Sequence, residues 1–356
     1  MNRTVMALAT AALMAFAHPG LAEPAAADID ASRTEAELFV FTNLSADQWE
    51  PNVKAFNATY PWIEVSIVDL GASVFERYYA DSASGVRTGD MIVAGGADNW
   101  ENFSAKGGIA AFAAPAGETL PEWSKPIAGV YTYSADPTVM IYNKALIGDV
   151  KPASLLQLAD MVAKDPALAN RISMPTAHAP FGRGATFALV EKDPAMWDVL
   201  DVLGPVTRVE RTVGPVIEKV ASGEYVVGYF ISGAALFSRL KNPAFSSIVG
   251  WSYPQDITPV VPRLMAVTSA AKSPASARLM VDFLLTPAGQ TAIGTGGATP
   301  YVEGIDKAVI TGVTFQDVVA GAGGEDKIAF DPPGSATPEQ RQQFLDRWNA
   351  KFSNKN

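Results

Sequence analysis

The chain has 356 residues and no cysteine, which excludes thiolate metal sites and cysteine nucleophiles. Its 37 acidic and 27 basic residues give a formal net charge of −10, which argues against a nucleic-acid partner because such partners select a basic face. The length suggests about two domains, each able to bury a core without disulfides.

The N-terminus has the pattern of a secretory signal. Arg3 is followed by an apolar run over residues 5–17, and small residues just before position 23 predict the cleavage site. A retained membrane anchor is disfavoured because the run is shorter than the ~20 residues that a spanning helix needs. We therefore expect residues 1–22 to be a signal peptide, residues 23–34 to be a loose leader, and the mature protein to be periplasmic.

The next segment alternates strands and helices. Residues 39–42 and 63–68 read as strands, and helices are predicted to open at Ser45 and Ser73. Each serine has Gln or Glu three residues later, which predicts a capping box. This order is typical of a parallel sheet with helices packed on it, in which ligands bind at the carboxyl ends of strands near helix N-termini.

Further strands follow along the chain. A third strand over residues 91–94 ends close to Asp98. Two short strands over residues 130–133 and 138–142 flank a predicted turn over residues 134–137, because Ser, Asp and Pro together are typical of turns. A strand over residues 264–268 would fit a return crossing toward the first unit.

A second α/β unit begins with a strand over residues 172–175. The loop that follows, residues 178–186, contains Gly182, Arg183 and Gly184. Glycines allow backbone N–H groups to approach a ligand, and arginine offers a bidentate fork for phosphate, phosphonate or carboxylate. This loop is the strongest indication of an anion site, although Arg183 could also be an exposed loop residue.

The remaining elements are read from helical or strand periodicity. Helices are predicted over residues 155–164, 213–222 and 274–285, and a strand over residues 225–231. Thr337 is predicted to cap a C-terminal helix whose apolar stripe of Phe344, Trp348 and Phe352 packs on the body.

Several stretches together resemble a known family. They read FVFTNLSADQWEPNVKAFNATYPWIEVSIVDLGAS, DMIVAGGADNW, PTVMIYNKALI, VASGEYVVGYFISG, YPQDITPVVPRLMAV and KSPASARLMVDFLLTPAGQTAIGTGGATPY. In this order they resemble the periplasmic solute-binding proteins of ABC importers, in the ferric-iron and phosphonate-type cluster. The resemblance implies an α/β fold of type II with two lobes, each a mixed sheet flanked by helices. It also implies a solute cleft between the lobes that closes by a hinge.

The lobe boundaries follow from the same resemblance. Lobe 1 is expected to comprise residues 35–135 and 260–356, and lobe 2 residues 136–259. Crossing strands are expected to join the two lobes.

The iron-binding members of this family use adjacent tyrosines after the strand that follows a Gly-Glu turn. The matching stretch here runs from Gly223-Glu224 to Ala235 and has no tyrosine pair. Those members often also use a histidine near the first strand end, where this chain has Thr42 and Asn43. Tyr78-Tyr79 falls inside a predicted helix and is interpreted as packing, so the sequence disfavours, but leaves open, a ferric-iron carrier.

The candidate ligand-binding residues share positions at predicted strand ends and helix starts. In the first lobe and its boundary they are Thr42, Asn43, Ala72, Ser73, Asp98 and Ser134. In the second lobe they are His178, Gly182, Arg183, Gly184, Thr186, Ser232, Tyr253 and Asp256. No metal ligand set or catalytic residue is assigned.

The sequence predicts a monomeric, non-enzymatic binding protein that needs no cofactor. It would capture a small polar solute, favoured to be an organic anion, and deliver it to the membrane permease of an ABC importer. A secreted hydrolase is disfavoured because there is no Gly-x-Ser-x-Gly or His-Glu-x-x-His motif. A sensor that docks on a membrane receptor remains an alternative that sequence cannot separate from transport.

Overall fold

A computed structural model describes residues 24–148 and 151–352. The predicted signal peptide, residues 1–22, lies outside the described residues. The strands are β1 (Glu37–Thr42), β2 (Glu64–Asp69), β3 (Met91–Gly95), β4 (Tyr131–Asn143), β5 (Ile172–Pro175), β6 (Thr207–Glu210), β7 (Val227–Ser232), β8 (Val249–Ser252), β9 (Thr258–Val267) and β10 (Ile328–Phe330).

The helices alternate with these strands through most of the chain. They are α1 (Ala26–Glu35), α2 (Ala46–Thr59), α3 (Val74–Ser84), α4 (Ala97–Ala105), α5 (Leu155–Lys164), α6 (Pro180–Lys192), α7 (Met196–Leu203), α8 (Val213–Ser222), α9 (Gly233–Leu240), α10 (Pro243–Ile248), α11 (Pro274–Leu284), α12 (Pro287–Thr295), α13 (Phe315–Ala322) and α14 (Pro338–Phe352). Within the described ranges, no helix combines the length and apolar character that crossing a membrane requires.

The strands form a two-part sheet in the order β2-β1-β3-β9-β4-β7-β5-β6. Pairing is parallel between β1 and its neighbours β2 and β3, and between β5 and its neighbours β6 and β7. The long strands β4 and β9 run antiparallel to each other in the middle. The result is the predicted mixed α/β architecture with two lobes.

Strand β4 changes partners halfway along its length. Its first half, up to Pro137, pairs with β9, and its second half, from Thr138, pairs with β7 and β8. Since the first set of partners lies in one half of the sheet and the second set in the other, β4 joins the two lobes directly.

The predicted turn at residues 134–137 is wrong, because these residues continue β4 opposite β9. Ser134, Asp136 and Pro137 have the composition of a turn. Asp136 is nevertheless buried within the strand and forms an ion pair with Arg263 on β9. A partner this distant in sequence is invisible to local turn propensities.

The two halves of the sheet have separate hydrophobic cores. The first packs α2, α11 and α12 on the strands around Val40 and Met265, and the second packs α5, α6 and α7 around Met174. The apolar stripe of α14 packs on the second core, which confirms the packing prediction but places this helix with lobe 2 rather than lobe 1. The other lobe boundaries remain predictions.

The expected loose leader is largely helical. Helix α1 packs along α11, where Arg278 Nε donates to Asp28 Oδ1 at 3.0 Å. Glu35 accepts from the N–H of Ser276 at 2.7 Å. Because polar contacts hold α1 in place and it has no apolar stripe, hydrophobic periodicity could not reveal it.

Candidate solute-binding cleft

The carboxyl ends of the strands from both lobes surround a cleft made of two adjoining cavities. The inner cavity has a volume of about 360 Å³ and the outer cavity one of about 540 Å³. The side chains of Asn43, Ser232 and Arg263 line both cavities, together with Ala235. These residues therefore mark the boundary at which the two cavities meet.

Helix N-termini converge on the inner cavity from both lobes. Its wall includes the starts of α4, α6, α8 and α9, and the turn Gly71–Ser73 that leads into α3 contributes Gly71 and Ala72. The first turn of a helix has unpaired N–H groups and a positive partial charge. The cleft therefore favours a negatively charged ligand group.

Arg263, on the crossing strand β9, is the one cationic side chain of the described residues that lines the inner cavity. It forms a close ion pair with buried Asp136, and its Nε donates to Asn43 Oδ1 at 3.0 Å. Its side chain is 13% exposed, and its Nη2 group makes no hydrogen bond to any described residue. The ion pair fixes the guanidinium while leaving one N–H face for a ligand.

Asn43 adds a second donor at the same place. Arginine can only donate, so the amide oxygen of Asn43 must face Arg263 and its NH₂ group is turned away. This NH₂ group has no partner among the described residues. Arg263 and Asn43 thus present two neighbouring free donors, a pair that suits an anionic oxygen.

Four of the sequence candidates line this cleft, namely Asn43, Ala72, Gly182 and Ser232. Ser232 caps α9, where its Oγ accepts from the N–H of Ala235 at 3.4 Å. A ligand role for the four stays a prediction. Sequence reasoning missed Arg263, although a lone arginine in the apolar stretch of β9 was a signal that a partner or ligand lies nearby.

Arg183 and Asp98 lie close together because they form an ion pair with each other. Arg183 Nη2 on α6 donates to Asp98 Oδ2 on α4 at 2.6 Å, which links lobe 2 to lobe 1. Neither residue is part of the wall of the inner or outer cavity. In this arrangement the guanidinium of Arg183 is paired with a carboxylate from the other lobe.

The segment at residues 178–186 is not the expected loop, because α6 begins at Pro180. Proline fits the first helical position, so the helix starts earlier than the glycines suggested. Gly182 is needed for packing: a Cβ there would lie 2.3 Å from the carbonyl oxygen of Thr176. Gly184 faces Val261 and Asp331, and Thr186 Oγ1 donates to the carbonyl of Gly182 at 2.8 Å inside the helix.

Two other candidates have structural partners beside the cleft. Buried Thr42 accepts from the indole N–H of Trp49 at 3.2 Å and from the N–H of Leu44 at 3.1 Å. Buried Ser134 lies 3.5 Å from Arg263 Nη1.

Ser73 is exposed, and its side chain makes no cap hydrogen bond, so the capping box predicted there is wrong. The one at Ser45 is confirmed, since Gln48 accepts from its N–H at 3.2 Å.

The remaining three candidates lie away from the two cavities. His178 Nε2 is 2.8 Å from Asn349 Oδ1 on α14. Tyr253 packs against Trp251 with ring centroids 5.1 Å apart, and burial raises the pKa of its hydroxyl. Asp256 accepts from the N–H of Leu155 at 2.7 Å at the start of α5, and burial raises the pKa of its carboxyl despite these backbone hydrogen bonds.

Metal-binding groups are not prominent in the cleft. The described ranges contain no cluster of three or more His, Cys, Asp or Glu side chains suited to a metal ion. The described walls of both cavities also lack tyrosine and histidine. Tyr78 is buried in the core beside Phe103, as the packing interpretation predicted.

Solved structures share this fold. The substrate-binding protein of an ABC transporter from Agrobacterium tumefaciens superposes with a TM-score of 0.75 at 22% identity, covering 89% of this chain and 94% of that one. Iron-bound HitA from Pseudomonas aeruginosa gives a TM-score of 0.66 at 18% identity, covering 88% and 98%. AfuA from Actinobacillus pleuropneumoniae, a periplasmic binding protein with bound fructose-6-phosphate, gives 0.65 at 16% identity, covering 89% and 99%.

Comparison with curated proteins gives no match. Residues 42–291 match the sequence profile of the family described as bacterial extracellular solute-binding protein, and this range spans most of the chain. It contains β2 through β9 and every lining residue of the inner cavity. With the two-lobed fold, this match identifies the chain as a member of the bacterial extracellular solute-binding protein family.

Proposed function

We propose that this protein is the periplasmic component of an ABC importer that captures a small anionic organic solute and delivers it to the membrane permease. The observation that carries the proposal is the pair of free donors on Arg263 and Asn43, placed where helix N-termini from both lobes meet. No carboxylate is among the described residues of the inner wall, and the Asp136 carboxylate that pairs with Arg263 leaves the Nη2 group of the guanidinium free.

The neighbouring structures support a transport role. The A. tumefaciens structure belongs to an ABC transporter, and AfuA holds fructose-6-phosphate, an anionic solute. HitA binds iron, which makes ferric iron the alternative cargo for this fold. Ferric iron needs hard anionic ligands such as phenolate, and the described walls of this cleft offer no tyrosine.

Capture is proposed to occur by closure of the lobes around the hinge formed by β4 and β9. Closure would surround the solute with N–H donors from both lobes, and every solute oxygen needs such a partner once water is excluded. The Asp98–Arg183 ion pair already connects the lobes beside the cleft.

Thermal unfolding of ligand-stripped protein with a panel of solutes tests this proposal. The panel contains phosphonates, sugar phosphates, carboxylates, neutral sugars, polyamines and ferric citrate. A solute at 100 times its dissociation constant adds about 2.7 kcal/mol to the free energy of unfolding, which is a clear shift in midpoint. Shifts confined to anions are expected, and a shift with ferric citrate alone would refute the proposal.

Asn43→Asp provides the matching variant. It replaces a free donor with a carboxylate beside Arg263, so anion affinity should fall at least tenfold, or by about 1.4 kcal/mol. Asn102→Asp is the control, because it adds the same charge at an exposed position on α4 outside both cavities. Equal solute affinities for the two variants would contradict an anion site at Asn43.

A further inference from the structure

The polar groups of the inner cavity are unevenly distributed. Most of its wall is apolar, with the side chains of Val74, Phe75, Phe181, Val213 and Val261 prominent in it. Arg263, Asn43 and Ser232 lie at the boundary with the outer cavity, since they line both. The cleft therefore has a polar end and a separate, mainly apolar chamber.

The chamber also has few hydrogen-bond acceptors. Its other polar side chains among the described residues are Asn99 and Thr212, and it contains no carboxylate. The helix starts in its wall supply N–H donors rather than acceptors. A sugar hydroxyl both donates and accepts, so a polyhydroxylated body would bring more protons than these few side-chain oxygens can accept.

Leaving such a buried group unpaired costs free energy, whereas an apolar group in the same place gains it. From this contrast we infer that the solute is an organic anion with an apolar body, such as an aromatic or branched aliphatic carboxylate, phosphate or phosphonate. This inference rests on the proposed function. The anionic group binds at Arg263 and Asn43, and the apolar body fills the chamber next to Phe75, Phe181 and Val213.

The size of the chamber agrees with such a solute. About 360 Å³ lies in the range of small-molecule sites, which start near 300 Å³. A single ring with one anionic substituent fits this volume.

Calorimetric titration of ligand-stripped protein with paired anions is the test. One set has apolar bodies: benzoate, phenyl phosphate and phenylphosphonate. The other has hydroxylated or minimal bodies with the same charged groups: gluconate, glucose 6-phosphate and methylphosphonate. At least one anion of the first set is expected to bind tenfold or more tightly than its counterpart.

The outcomes separate this inference from the proposed function. If the hydroxylated anions bind as tightly or more tightly, the apolar-body inference is overturned while anion capture stands. If no anion of either set binds, or benzyl alcohol binds as well as the anions, the proposed function itself fails and the inference fails with it.

Val213→Thr tests the wall directly, because it adds one hydroxyl with little change of shape. It should weaken the tightest apolar-bodied anion roughly tenfold. Val202→Thr is the control, because Val202 lies on α7, is 47% exposed and lines neither cavity. Equal affinities for the two variants, with unfolding midpoints unchanged, would overturn the assignment of the body to this chamber.

Discussion

Gly182 and Gly184 lie two residues apart in α6, and alanine should have opposite effects at the two positions. A Cβ on Gly182 would lie 2.3 Å from the carbonyl oxygen of Thr176 and 3.0 Å from that of Pro175. Both are backbone atoms that cannot rotate away. At Gly184 the nearest atoms are side-chain atoms at 3.6 Å, which is ordinary contact.

The magnitudes follow from these distances. Overpacking typically costs about 1–3 kcal/mol, and the backbone contacts at Gly182 place it at the upper end. Alanine recovers up to about 1 kcal/mol of helix propensity, so Gly182→Ala should lower the free energy of unfolding by about 2 kcal/mol. Gly184→Ala has no clash and should raise it by up to about 1 kcal/mol.

Differential scanning calorimetry of the two variants measures the contrast. For a chain of this size a difference of about 3 kcal/mol corresponds to midpoints separated by about 4 °C. Solute affinity should be unchanged in Gly184→Ala, because Gly184 lies outside the inner and outer cavities. Equal midpoints, or a loss of affinity in Gly184→Ala, would refute the packing role and restore the idea of a glycine loop that holds the anion.

Three further predictions concern ionic and capping contacts. A double-mutant cycle with Asp98→Asn and Arg183→Gln, measured by urea unfolding, should give a coupling free energy of about 1 kcal/mol. The value is small because the Asp98 and Arg183 side chains are 35% and 13% exposed and solvent partly screens their charges. An absence of coupling would mean that this ion pair between the lobes does not form. Ser232→Ala and Ser154→Ala each remove a helix cap worth about 1 kcal/mol, but only the first should weaken solute binding by calorimetry, and equal affinities would contradict a cleft role. Burial raises the pKa of Asp282, so its protonated form stabilises the fold below a pH of about 4 and this stability is lost as pH rises through the raised pKa. Asp282→Asn should therefore gain most in unfolding midpoint over the parent near pH 7, and a gain that is constant from pH 3 to 7 would be inconsistent with this assignment.

Local signals in the sequence determined most of the helices and strands. The predicted helices over residues 155–164 and 213–222 agree with α5 and α8, and the capping box at Ser45 starts α2 as expected. Apolar periodicity and caps act within a few residues, so they can be read without knowing the fold. The order of these elements predicted an α/β sheet, and the two-lobed family was predicted from the resemblance of several stretches to periplasmic solute-binding proteins.

The tertiary structure decided the chemistry of the cleft. The sequence indicates a turn at Asp136, but in the folded chain Asp136 lies in a strand and pairs with Arg263 of β9. The sequence indicates that the Arg183 guanidinium is free for a ligand, but in the folded chain it pairs with Asp98 of the other lobe. Helix α1 is held by polar contacts to α11, which leave no periodic trace in its own sequence. Burial and ion pairing depend on which distant segments come into contact. Only the tertiary structure therefore shows that the donors of Arg183 are paired with a carboxylate while those of Arg263 Nη2 and Asn43 are free for a ligand.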